Sequence, residues 1–125
     1  MRDDVFDLPD AELSVLAALW DSGPSTIRQL TDVIYPNGKE AHYATVQKLL
    51  ERLESKRCVA RDRSTWAHMF RAAIDRDDFI GRRLRAVAER LCGGSLTPLL
   101  TNLVRSRRLT AKERRELRAV IDELE

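Results

Sequence analysis

Residues 41 to 57 read AHYATVQKLLERLESKR, and at 100° per residue Val46, Leu49, Leu50 and Leu53 fall in one stripe with the i, i+3, i+4, i+7 spacing of an amphipathic helix. The following residues, CVARDRS, switch to period two, which places Val59, Arg61 and Arg63 on one face of a short strand. A helix running into a basic strand is the order of a recognition helix followed by a wing. The outer face of the helix carries Ala44, Thr45, Gln47, Lys48, Glu51 and Arg52. Short and hydrogen-bonding side chains occupy its N-terminal half, where a helix in a major groove meets base edges, and cations lie further along, where it meets phosphates. Any solvated surface helix also has a polar outer face, so the neighbouring segments must decide.

Upstream, a helix is expected from about Asp10 to Trp20, burying Leu13, Leu16, Ala17 and Trp20, with Asp10 and Glu12 in the first turn where the helix dipole favours acids. Gly23 and Pro24 end it, and Ser25 is the expected N-cap of a second helix through about Ile34, with Ile27, Leu30, Val33 and Ile34 inward. Tyr35, Pro36, Asn37 and Gly38 form the turn before the third helix. Downstream, Val59 to Arg63 and His68 to Ala72 read as two strands joined by Ser64, Thr65, Trp66 and Ala67, with Met69 and Arg71 sharing a face of the return strand. Three helices and a hairpin give a winged helix-turn-helix over residues 1 to 74. A three-helix bundle with a loose tail is the alternative, and it leaves the basic hairpin without a role.

Residues 75 to 125 read as helical throughout. Asp75, Asp77 and Asp78 open a helix with Ile80, Leu84, Val87 and Leu91 along one side, and Gly93 with Gly94 stops it. Ser95 is the expected cap of a fifth helix bearing Leu96, Leu99, Leu100, Leu103 and Val104, with Pro98 tolerated in its first turn. Thr110 and Glu113 form a capping box for a sixth, which presents Leu117, Val120, Ile121 and Leu124. Three short amphipathic helices cannot bury all these stripes on one another, so the arm is expected to pair with a second copy. A monomer that folds the arm back on the winged domain is the competing arrangement. The fold class is therefore mainly α with a small β-hairpin: a winged helix-turn-helix domain plus a C-terminal helical dimerisation arm.

The 43% apolar and 34% charged residues describe a globular chain, and no run approaches the ~20 apolar residues of a membrane span. The acidic opening residues do not resemble a signal peptide, so the expected compartment is the cytoplasm, without membrane insertion. Cys58 and Cys92 belong to no CxxC or Cys/His cluster, which indicates neither a metal site nor a disulfide framework, and no cofactor motif is present. Net charge is only +2 but uneven: residues 1 to 38 hold two basic and seven acidic groups, residues 39 to 71 eight and four, and residues 72 to 125 twelve and nine. The positive excess coincides with the recognition helix and wing, which suits a polyanion such as double-stranded DNA.

Two other classes compete. Cys58 with His42 and His68 offers a nucleophile and a base, but no orienting group or oxyanion motif accompanies them, so an enzyme is not expected. A winged-helix module used for protein contacts, without DNA binding, is the second.

Taken together, LPDAELSVLAALW at 8 to 20, STIRQL at 25 to 30, YATVQKLLERLESKRCV at 43 to 59, GGSLTPLL at 93 to 100 and LTAKERRELRAVIDELE at 109 to 125 resemble the penicillinase-repressor family of bacterial transcription factors, which includes methicillin-resistance and copper-responsive repressors. The resemblance implies a homodimeric repressor that reads a partly palindromic operator and dimerises through its C-terminal helices. It implies that Tyr43, Ala44, Thr45, Gln47 and Lys48 face the groove, with Gln47 suited to adenine. Ser25, Thr26, Arg28, Lys39, Arg52, Arg61 and Arg63 would fasten phosphates, and His68 is a further candidate. The copper-responsive branch carries a cysteine-rich tail that IDELE lacks, which argues against metal sensing. In the β-lactam branch a membrane sensor protease signals cleavage beside an Asn-Phe pair in the arm, and the nearest match here is Asn102-Leu103, with Leu in place of Phe.

Overall fold

The structure, a computed structural model, describes residues 7–106 and 109–124; the first part of the acidic opening and the final Glu125 lie outside them. Chain order is α1 (Asp10–Ser22), α2 (Ile27–Ile34), α3 (Glu40–Ser55), β1 (Val59–Asp62), β2 (Met69–Ala72), α4 (Arg76–Cys92), α5 (Thr97–Arg105) and α6 (Ala111–Glu123). This is a mainly helical chain with an antiparallel hairpin, in the order of a winged helix-turn-helix followed by a helical arm.

Local signals in the sequence account for most boundaries. α1 ends at Gly23, whose φ of 78° suits a residue without Cβ and whose N–H donates to the Leu19 carbonyl. α2 is capped by Thr26 rather than by Ser25: the Gln29 N–H donates to Thr26 Oγ1 at 3.1 Å, and the Gln29 side chain accepts the Thr26 N–H at 2.9 Å. That capping box satisfies two N–H groups that the first turn leaves open. Ser25 serves a different purpose, because its N–H and C=O both pair with Phe70, at 2.9 and 2.8 Å. This bridge adds a one-residue rung beside β2 and ties the α1–α2 turn to the hairpin. No alternation in the sequence marks a strand one residue long.

α3 is preceded by a tight turn. A Cβ on Gly38 would stand 2.8 Å from the Tyr35 Cβ and 2.9 Å from His42 Nδ1, so only glycine fits. His42 then closes the helix start: its Nδ1 accepts the Lys39 N–H at 2.9 Å while its ring stacks on Tyr35, with centroids 4.2 Å apart. At the other end the Cys58 N–H reaches the Leu53 carbonyl and Arg57 takes φ 64°, a Schellman-type stop with arginine where glycine is usual.

The stripes of α1, α2 and α3 meet in one core. Val15, Leu16 and Leu19 of α1, Leu30 of α2, Val46, Leu50 and Leu53 of α3, and Phe70 of β2 are all buried. Cys58 lies wholly inside it, where burial pushes its thiol above the ordinary range. β1 and β2 pair with Val59 opposite Ala72 and Arg61 opposite Phe70.

The chain forms two compact units, Met1–Arg83 and Leu84–Glu125. The first unit takes in the start of α4. Phe79 is buried in that unit's core, edge-on to Trp20 at 5.4 Å, while the Trp20 indole N–H donates to the Ile74 carbonyl at 2.9 Å. In the second unit, Gly93 and Gly94 take φ 60° and 90° and end α4 as expected. Ser95 caps α5 only loosely, its Oγ lying 3.4 Å from the Thr97 N–H, with Leu96 as the N-cap. Thr110 and Glu113 make both bonds of their capping box, at 3.0 and 3.1 Å.

Candidate nucleic-acid interface

The exposed side of α3, the start of α2 and the hairpin enclose an open groove of about 490 Å³, lined by Thr26, Ile27, Arg28, Tyr43, Gln47, Arg61, Trp66, Ala67 and His68. Helix geometry explains part of the meeting: Tyr43 and Gln47 are four residues, about one turn, apart on one face of α3. Arg28 spans the two helices, its guanidinium carbon lying 4.9 Å from the centroid of the Tyr43 ring. The ring face attracts the cation and holds it at the groove's edge.

The residues assigned from the sequence divide into three groups. Thr26, Arg28, Tyr43, Gln47 and Arg61 come together in the groove. Lys39, Ala44, Thr45, Lys48, Arg52 and Arg63 are exposed but do not line it. Ser25 does not join them: it is buried, and its hydroxyl donates to the Gly23 carbonyl at 2.8 Å. Its expected role as a phosphate contact is corrected to that of a structural linchpin for the turn.

Arg61 also departs from expectation. It sits on the inner face of β1 opposite Phe70, with its guanidinium carbon 4.7 Å from that ring and one nitrogen 3.0 Å from the Glu54 carboxylate. Its side chain is only 18% exposed. Period two correctly grouped Arg61 with Val59, but which face turned inward depended on the packing partner. Arg61 therefore clamps the hairpin to the end of α3, while Arg63, 63% exposed and 3.9 Å from Glu54, remains the more available cation. Thr45 is exposed but its hydroxyl donates to the Ala41 carbonyl at 3.0 Å, so toward a ligand it presents a methyl and acceptor lone pairs.

Sequence reasoning missed Trp66. It is named only as part of the tip, yet it is 100% exposed and forms one wall of the groove. The absence of glycine from the tip was the available signal. Ser64 N–H donates to Asp62 at 2.8 Å and Thr65 Oγ1 donates to the Ala67 carbonyl at 2.6 Å, so side chains order this turn. The Ser64 hydroxyl first, and its N–H second, hold the Asp62 carboxyl below the usual aspartate range.

The Cys58, His42 and His68 of the enzyme alternative occupy separate positions: Cys58 in the core, His42 closing α3, and His68 on the groove. Among the described residues there is no group of three or more His, Cys, Asp or Glu arranged to hold a metal ion, and no helix long and apolar enough to cross a membrane.

Within the second unit, Leu100, Leu103 and Val104 of α5 face Leu117, Val120 and Ile121 of α6 across an open apolar cleft of about 350 Å³, with Leu109 at its end. Leu84, Leu91, Leu96 and Leu124 of this unit, and Ile80 of the first, are also exposed, while Val87 and Leu99 are half-buried. A single copy thus leaves nearly all of the expected dimerisation stripe uncovered. Asn102 and Leu103 lie inside α5, where the Asn102 carbonyl accepts the Ser106 N–H.

Residues 8–123 match the family described as Penicillinase repressor. The chain belongs to the penicillinase-repressor family. It is 32% identical over 120 residues to a protein named Transcriptional regulator BlaI from Mycobacterium tuberculosis strains CDC 1551 and H37Rv, spanning 94% of this chain and 85% of the relative. To the Penicillinase repressor of Staphylococcus aureus it is 25% identical over 114 residues, 91% of this chain and 90% of that one. Family membership covers the winged unit and the arm of this penicillinase-repressor homologue alike, and the relatives' names mark it as a transcriptional regulator.

Proposed function

We propose that this chain is a DNA-binding repressor that acts as a cytoplasmic homodimer on a partly palindromic operator. Each winged unit lays α3 in a major groove, with Gln47 reading a base edge and Ala44 and Thr45 offering small apolar contacts. Thr26, Arg28, Lys39, Lys48, Arg52 and Arg63 meet phosphates and set the register. The arms pair through the apolar faces of α5 and α6, and a two-fold dimer places two recognition helices one or more DNA turns apart. The observation that carries this reading is the groove itself: α2, α3 and the hairpin turn cations and hydrogen-bonding side chains toward one open face.

Relief by a membrane sensor protease fits the same arrangement. A cut at Asn102-Leu103 removes the end of α5, all of α6 and every lining residue of the apolar cleft except Leu100, so dimerisation falls and operator affinity with it. Because that bond lies inside a helix, α5 must open before a protease can seat it.

The deciding experiment is binding of a labelled duplex, followed by anisotropy, across a salt series. Neutralising several phosphates makes affinity fall steeply, by about a thousandfold or more between roughly 50 and 200 mM salt for six or more contacts. A chain that ignores duplex DNA even at low salt, or binds it without salt dependence, overturns the proposal in favour of a protein-contact module.

A further inference from the structure

Trp66 lines the groove beside Tyr43 and Gln47 of α3, and the contacts assigned above give it no part. Isolated surface apolar residues need no explanation, but Trp66 is not isolated. It is 100% exposed on a turn ordered by the Asp62 and Thr65 hydrogen bonds, and it borders the same groove as Ile27, Arg28, Tyr43 and His68. The same lining offers donors: Thr26 Oγ1 accepts from the Gln29 N–H, which leaves its own O–H to donate, and Arg28 is held over Tyr43.

We infer that this groove seats one sugar-phosphate strand of the duplex, with the Trp66 indole packed on a deoxyribose while Thr26, Arg28 and His68 meet the adjoining phosphate. The inference rests on the DNA-binding reading and adds to it an aromatic contact that is indifferent to sequence. A phosphodiester strand alternates anionic phosphates with apolar sugar faces, and the groove sets donors and a cation beside a bare indole in the same way. An acidic peptide would satisfy the cations but supplies no regularly placed apolar ring face for the indole. Trp66 thereby contributes affinity on any duplex, in contrast to Gln47, whose contribution depends on the base it meets.

The test uses the full chain and its two tryptophans, Trp20 and Trp66. In Trp66→Phe only Trp20 emits, so subtracting its signal isolates Trp66. Acrylamide is expected to quench Trp66 freely in the protein alone and far less when a short random duplex saturates it at low salt. Trp66→Ala is expected to weaken binding to random and preferred duplexes alike by about tenfold, the low end of what a ring stacked on a base contributes, while Trp66→Phe keeps most of the affinity. Unchanged melting of both variants shows that the loss is not unfolding. Binding by anisotropy with Trp66 still quenched as in the free protein, and Trp66→Ala within about twofold of wild type, overturns this inference and leaves DNA binding standing. A loss confined to the preferred duplex, or an indole already shielded without DNA, overturns it as well. Failure to bind any duplex removes both readings together.

Discussion

Lys56, just past the end of α3, places its ammonium 2.5 Å from the carboxylate of Glu12, whose side chain on the inner face of α1 is only 3% exposed. The helix dipole favours Glu12 in the first turn, and the fold turns it inward and supplies a counter-charge from 44 residues away. Removing the ammonium strands a buried charge, which costs more than the pair contributes. Lys56→Met is expected to destabilise by about 2 to 3 kcal/mol, below the usual range for fully buried pairs because Lys56 is a third exposed. Adding Glu12→Leu should restore most of it. Urea midpoints of the two variants check this, and a single variant as stable as wild type would show that the pair does not matter.

Arg57 holds φ 64° at the end of α3. A left-handed conformation costs a residue with a Cβ about 1 to 2 kcal/mol, and glycine avoids that at about 0.4 to 1 kcal/mol of extra chain entropy. Arg57→Gly should therefore stabilise the winged unit by about 0.5 to 1 kcal/mol, seen as a higher urea midpoint at unchanged slope. Arg57→Val should do the reverse.

Gln47 and Lys48 are neighbours on the exposed face of α3 with different expected roles. Lys48→Ala should weaken binding to every duplex and lower the salt slope by about one. Gln47→Ala should cost about 1 to 3 kcal/mol on the preferred operator and little elsewhere. Equal losses on random DNA would remove Gln47 from base reading.

Leu84 and Val120 are about half exposed in one copy, so a charge at either position leaves that copy's fold intact. In a paired arm the same charge is buried without a partner. Leu84→Asp and Val120→Asp should each weaken dimerisation at least about a hundredfold, measured by sedimentation equilibrium. A dimer that survives both substitutions places the interface elsewhere.

The Glu113 carboxylate accepts the Thr110 N–H, and this bond, with the Thr110 side chain second, holds its carboxyl below the usual glutamate range. A group whose folded value is depressed contributes stability at pH above its unfolded value, and that contribution disappears as pH falls through the folded one. α6 should therefore lose helicity on acidification below the usual glutamate range. Glu113→Gln keeps an acceptor that does not titrate, so the wild-type minus variant circular dichroism should show an acid step. A flat difference would mean that the cap does not hold α6.

Signals legible within a few residues accounted for the element order, the winged helix-turn-helix and the amphipathic arm. The α3 stripe, the Gly23 and Gly93-Gly94 stops and the Thr110-Glu113 box are all settled by contacts one helical turn apart. The same local rules mistook Ser25 for a cap, because Thr26 next to it has equal chemistry and only the Gln29 side chain selects between them.

Tertiary structure decided what local rules cannot. The Ser25-Phe70 bridge, the inward turn of Arg61 onto Glu54 and Phe70, the Glu12-Lys56 pair and the docking of Phe79 beside Trp20 each depend on which surface a periodic face meets. Periodicity states that a face exists, but its partner is chosen by packing and charge compensation between segments far apart in the chain. Trp66 is the clearest instance: its isolated place in a short turn carries no pattern, and its position beside Arg28 and Tyr43 exists only once the hairpin has folded against α2 and α3.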